Sequence, residues 1–163
     1  GVEVKWLKDF AKKTARGLTT FQVVEQIVKP ETRGDRRRFV DAPLVASGAA
    51  EVLVSHAWGA PFKDTVAAIA HALPDQAFVF MDVFCVRQWP GNEADCEFED
   101  VVNQMRAVLL CVSRVDALFK LNSDDLIFQR VPQDALHRCA LFRLWCLAEA
   151  AAAHLAELTV VLL

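Results

Sequence analysis

No run of the chain approaches the about 18 to 20 consecutive apolar residues of a bilayer-crossing helix, and the N-terminus lacks the pattern of a signal peptide. A membrane role is not expected. Also missing are a Walker sequence and a G-x-G-x-x-G turn after a strand, so a glycine-rich phosphate cradle is not supported. Neither Ser55 nor Ser113 sits in a G-x-S-x-G elbow, which argues against an α/β-hydrolase. The five cysteines, Cys85, Cys96, Cys111, Cys139 and Cys146, form no CxxC pair and no Cys/His spacing of a zinc site, so no metal is expected. Their odd number, and the apolar runs around several of them, suit a reducing, cytoplasmic compartment. A net charge of -3 offers no concentrated positive field for nucleic acid or anionic lipid. The local exception is Arg33, Arg36, Arg37 and Arg38 around Gly34 and Asp35, readable as an anion-binding patch or as a solvated loop.

What is present is material for one core. The 163 residues are 54% hydrophobic and 24% charged, a balance that folds rather than stays disordered. The chain begins with Gly1 rather than Met and stops in the apolar run Val160 to Leu163, and we read it as an excised piece of a larger protein, truncated at the C-terminal end.

Val4, Leu7, Lys8 and Ala11 recur at helical spacing, predicting a short amphipathic helix from Val4 to about Ala15. A second helix, capped by Thr19 or Thr20, buries Phe21, Val24, Ile27 and Val28 and ends at Pro30. Residues 31–50 are polar, basic and punctuated by Gly and Pro, as expected of a loop or arm lying over the domain. The organisation expected is a helical extension with a basic arm over 1–50 and an α/β domain over 51–163.

In that domain Glu51-Val-Leu-Val-Ser55 reads as a central strand, and 61–73 as a helix with Val66, Ile69, Ala70 and Leu73 on one face. A second strand over 77–82 ends in Asp82, and 83–97 is a long loop. Helix 98–106 and strand 107–113 repeat the alternation. The mixed stretch 114–138 reads as an insertion carrying one helical turn, 141–156 as a Leu- and Ala-rich helix, and 158–163 as a last strand. Such alternation implies an α/β, flavodoxin-like three-layer sandwich on a parallel sheet of four to five strands, with ligands at the carboxyl ends of the strands.

Glu149 is the only acid between Leu141 and Leu155, in a helix apolar around nearly its whole circumference and therefore read as buried. A carboxylate there must be paired, or have its pKa raised by desolvation, and such groups near clefts are catalytic candidates. Trp145 and Cys146 share its helical face, so an indole can stack a planar ring while the acid binds a sugar hydroxyl. The competing reading is a Glu149 that reaches solvent at the helix edge or pairs with an Arg. His56 is likewise open between a proton shuttle and a side chain satisfied by a backbone carbonyl.

Taken together, Val52-Leu-Val-Ser-His56, Phe78-Val-Phe-Met-Asp82, Phe98-Glu-Asp-Val-Val-Asn-Gln-Met105, Ala107-Val-Leu-Leu-Cys-Val-Ser113, Trp145-Cys-Leu-Ala-Glu149 and Thr159-Val-Val-Leu162 resemble, in order, the boxes of Toll/interleukin receptor (TIR) domains. Trp145-Cys-Leu-x-Glu149 is similar to their Trp-Cys-Leu-x-Glu signature, and the loop after Asp82 to the one they call BB. Residues 1–50 look like the extension preceding TIR-like domains of some unicellular eukaryotes.

The resemblance implies that Glu149 cleaves the nicotinamide-ribose bond of NAD, as glycohydrolase or cyclase, with NAD as substrate and no further cofactor. It implies a nucleotide cleft lined by Asp82, Phe98 and Trp145, with Ser55, His56 and Trp58 on the first loop. His56-Ala-Trp58 stands where the family often has basic residues for the ligand phosphates, and Arg87 is the candidate replacement. Homo-oligomerisation with other TIR-like domains is implied as well. The rival expectations are a non-enzymatic self-association scaffold and a nucleoside or nucleotide-sugar processing hydrolase.

Overall fold

A computed structural model of the chain describes residues 1–92, 95, 98–113 and 131–163, with the side chains of 98 and 99 outside the description. Val2–Glu3 (β1) leads directly into Val4–Lys13 (α1), whose Val4, Leu7 and Ala11 are buried at the spacing the sequence predicts. Thr19 caps the next helix: its side chain accepts from the Gln22 N–H, and the Gln22 side chain accepts from the Thr19 N–H, so two end donors are satisfied.

That helix does not end at Pro30. Thr20–Val23 (α2) passes into a π-helical turn, Val24–Val28, and then into Lys29–Thr32 (α3), where Pro30 lies in the first turn. A first-turn proline needs no N–H partner, and the wider π turn, closed by Lys29 N–H to the Val24 carbonyl, accommodates its ring. Thr20, Val23, Val24 and Val28 are buried, whereas Phe21 is half exposed, contrary to the expected stripe, because the buried face at α spacing runs through 20, 23 and 24 and leaves 21 to one side. The stretch expected as a polar arm supplies a further anchor, the 3-10 turn Phe39–Asp41 with Phe39 and Val40 buried.

The strand-helix alternation then follows: Val52–His56 (β2), Phe62–Ala72 (α4), Phe78–Phe80 (β3), Asp82–Cys85 (α5), Phe98–Asn103 (α6), Ala107–Cys111 (β4), Gln133–Arg138 (α7), the 3-10 turn Ala140–Phe142, Leu144–Leu155 (α8) and Thr159–Leu162 (β5). The loop expected over 83–97 thus begins as a helical turn, α5. Most of the expected insertion 114–138 lies outside the described residues; its described end forms α7.

The sheet order is β1-β3-β2-β4-β5, parallel except for β1, whose Val2 pairs antiparallel with Val79. Successive β2 residues feed opposite layers. Leu53 packs with Val102, Val108 and Ala153 beneath α6 and α8, while Val54 joins the cluster holding Val4, Leu7, Phe62 and Ile69 beneath α1 and α4. This is the α/β, flavodoxin-like sandwich expected. Side chains of 1–50, including Val2, Val23 and Phe39, share the latter cluster with those of 51–163.

The last helix departs from expectation in one respect. Only Cys146, Glu149 and Ala153 of α8 are buried, and Leu144 and Leu155 are 84% and 83% exposed. Its apolar circumference is therefore not a core signature, and β5 is likewise exposed along its length. Among the described residues, no helix is long and apolar enough to cross a membrane.

Candidate functional site

The order places β2 between β3 and β4, so consecutive strands leave β2 toward both sides; a crevice opens at the carboxyl ends where such a reversal occurs. The polar residues that end β2 and β3 converge there with α8. A cavity of about 290 Å³ results, lined by His56, Trp58, Asp82, Trp145, Cys146 and Glu149, with Val54, Val86, Gln88, Asn92 and Arg143 completing it.

Asp82 organises one wall. Its Oδ1 accepts from the Val83 backbone N–H at 2.7 Å, fixing the start of α5, and its Oδ2 accepts from Trp58 Nε1–H at 2.8 Å. His56 Nδ1 lies 4.0 Å from Asp82 Oδ1. Burial lowers the His56 pKa, with the Asp82 charge acting the other way, so the imidazole is neutral at physiological pH. Its Nε2 is out of solvent, and a backbone hydrogen bond to Val54 favours the charged ring, in line with the reading of a histidine held by a backbone carbonyl.

The opposite wall is α8. Cys146 donates its thiol proton to the His56 carbonyl across 3.4 Å, clamping the helix to the strand end. Burial pushes this thiol up to about 11, and the Cys111 thiol up to about 12, so neither supplies a thiolate nucleophile at neutral pH.

Glu149, one turn further along, is only 6% exposed. Its pKa is pushed up to about 7, first by desolvation and further by the Asp82 charge, while the Ser55 hydroxyl and the Trp145 indole favour its charged form. Ser55 Oγ is buried beside it, out of solvent, with its hydroxyl directed to the carboxylate. The carboxyl group thus titrates near neutrality, reaches neither bulk water nor an internal cation among the described residues, and faces a hollow. Asp82 and, once ionised, Glu149 put negative charge on the inner walls of the hollow, with the Arg143 cation also in its lining.

Of the expected residues, His56, Trp58, Asp82, Trp145 and Glu149 line the cavity and Ser55 stands behind Glu149. Arg87 does not join them: its Nε donates to Asp95 Oδ2 at 2.7 Å and its backbone N–H to the same oxygen at 3.1 Å. An acid nearby in the same loop claims the guanidinium. Phe98 opens α6, and its side chain lies outside the described residues. Arg143, the residue preceding α8, lines the cavity instead, together with Gln88 and Asn92. The rule that open parallel sheets bind at strand ends and at the helix starts facing them points to Arg143; nothing in local pattern marks Gln88 or Asn92. Among the described residues no group of three His, Cys, Asp or Glu side chains is placed to hold a metal ion. No family model, curated protein or solved structure matches the chain, so the reading of this site rests on its geometry and chemistry.

Proposed function

We propose that the chain is a TIR-like domain that breaks the nicotinamide-ribose bond of NAD, with Glu149 as the catalytic residue. The observation carrying this reading is a single carboxyl group, desolvated to a pKa of about 7, on the wall of a hollow that also holds an indole and a second carboxylate. At about 290 Å³ the hollow suits a ring and its sugar rather than a whole dinucleotide, so the remainder extends past Trp145 and Arg143 at the mouth.

In this mechanism the C1′–N bond breaks and its electron pair returns to the pyridine ring, which leaves as neutral nicotinamide. C1′ becomes oxocarbenium-like. The Glu149 carboxylate stabilises the positive charge and accepts hydrogen bonds from the ribose hydroxyls. Water then adds to C1′ and gives up a proton, yielding ADP-ribose; attack by an adenine nitrogen gives a cyclic product instead. The cationic ring of NAD favours ionised Glu149, so binding itself shifts the acid toward its working form. Arg143, exposed at the cavity wall, is assigned to orientation of the phosphates.

The test is nicotinamide release by purified protein at high concentration, with Glu149→Ala alongside. Release by the parent and none by the variant is the expected result; equal release by both rejects the assignment. A second reading, a non-enzymatic scaffold, is favoured by the exposed apolar residues of α8 and β5, Leu144, Leu155 and Leu162. Concentration-dependent assembly without turnover in either protein selects it. Where assembly and turnover occur together, activity per domain rises with protein concentration.

A further inference from the structure

A second and larger hollow, about 520 Å³, lies outside the Glu149 site, between α1, the π-helical turn and the 3-10 turn Phe39–Asp41 with the residues after it. We infer that it is a binding site for a small amphipathic anion, an aromatic or other apolar body carrying a single carboxylate, sulfonate or phosphate group.

The floor is aromatic by sequence design. Trp6 and Phe10 are four residues apart on α1 and stack at 5.1 Å with an interplanar angle of 27°. Phe39 closes edge-on against Phe10 at 5.8 Å. The rim is held by Trp6 Nε1–H donating to the Leu44 carbonyl at 3.2 Å, although the Leu44 side chain itself is 92% exposed. An aromatic concavity of this volume, with a few polar groups at its margin, has the make-up of a small-molecule site rather than of a packing defect.

The charge pattern selects the ligand. Lys13 follows Phe10 by three residues on the same helical face, and Arg37 comes from the basic stretch that the sequence leaves open between an anion patch and a solvated loop. Arg37 Nη1 pairs with Asp35 Oδ2 at 3.2 Å, but its Nε is out of solvent with no acceptor. Lys13 and the Arg37 side chain both line the hollow, so an oxyanion lodged there gains charge-assisted hydrogen bonds from their exposed N–H groups. Glu31 also lines the hollow and opposes a second negative charge, so a monoanion is preferred to a polyphosphate.

The probes are anilinonaphthalene sulfonate, an aromatic monoanion, and phenylnaphthylamine, its uncharged analogue, followed by fluorescence and by the NMR resonance of the Trp6 indole N–H. The sulfonate is expected to saturate one site, move that resonance and bind Arg37→Gln about tenfold more weakly, as for loss of one charge-assisted hydrogen bond. Binding of the uncharged analogue is unchanged in that variant. Ala42→Trp, which fills the hollow, abolishes binding of both probes. A Trp6 resonance that stays fixed at saturation, or sulfonate binding equally tight in the parent and in Arg37→Gln, overturns the inference. Arg37 is partly exposed and outside the core, so its variant reports even if Ala42→Trp does not fold.

Discussion

Trp58 Nε1–H donates to Asp82 Oδ2 across 2.8 Å, joining the loop after β2 to the start of α5 and so bracing two strand ends that border the same cavity. The indole is a structural strut as well as a wall. Trp58→Phe keeps most of the apolar contact and removes the donor, leaving Asp82 with the Val83 N–H. Chemical denaturation is expected to show a loss of about 1.5–3 kcal/mol, the range for a hydrogen bond to a charged group. A loss near zero contradicts the strut.

Glu149 holds its proton more tightly in the folded chain than in the unfolded one, with a pKa raised from 4.5 to about 7. Its contribution to stability is therefore complete below pH 4.5 and is lost as pH rises through about 7. Replacing it with the uncharged Glu149→Gln is expected to stabilise the fold above pH 7 by up to ~3 kcal/mol and to do little below pH 4.5. Thermal melts of both proteins across pH check this; a variant less stable than the parent at pH 8 runs against it.

The residues 1–50 do not occlude Glu149, but they grip the loop beside it. Trp89 Nε1–H donates to Thr32 Oγ1 at 3.1 Å, and the Arg36 guanidinium lies 5.7 Å from the Trp89 ring centroid. Gln88, the neighbouring residue, lines the cavity. Trp89→Ala is expected to raise amide hydrogen exchange over residues 86–92 by about tenfold or more, the equivalent of the lost contacts, without lowering protection in β2 and β4. Unchanged exchange in that loop would refute the grip.

Gly59 lets the loop after β2 pass against α7. A Cβ there would stand 2.4 Å from the His137 carbonyl oxygen, a backbone atom that cannot swing aside. Gly59→Ala is expected to cost about 1–3 kcal/mol, read as a fall in Tm of several degrees. A melt unchanged within error shows that α7 relaxes freely.

The strands β2 to β5 and the helices α4, α6 and α8 were legible because buried parallel strands read as short β-branched runs and the helices between them change period, whereas α5, a single turn, was read as loop. Glu149 was legible as a lone acid in an apolar helix. Other features were not. Val2–Glu3 is too short to carry a pattern, and its pairing with β3 is a tertiary fact. Pro30 reads as a helix stop because local rules do not foresee a π turn ahead of it. The exposure of Leu144 and Leu155 was hidden for a related reason: hydropathy records what a helix can bury, not what is present to cover it. Arg87, the expected cation, is held by Asp95, and Arg143, to which the sequence reading gave no role, lines the cavity.

The most direct test of the account is the pH dependence of nicotinamide release from NAD by the parent and by Glu149→Gln, which preserves shape while removing the titrating group. The account predicts that kcat/KM of the parent rises through a pH of about 7 as Glu149 ionises, and that the variant, though folded, releases none at any pH. Release by Glu149→Gln at the parent's rate, with the same pH profile, would contradict it.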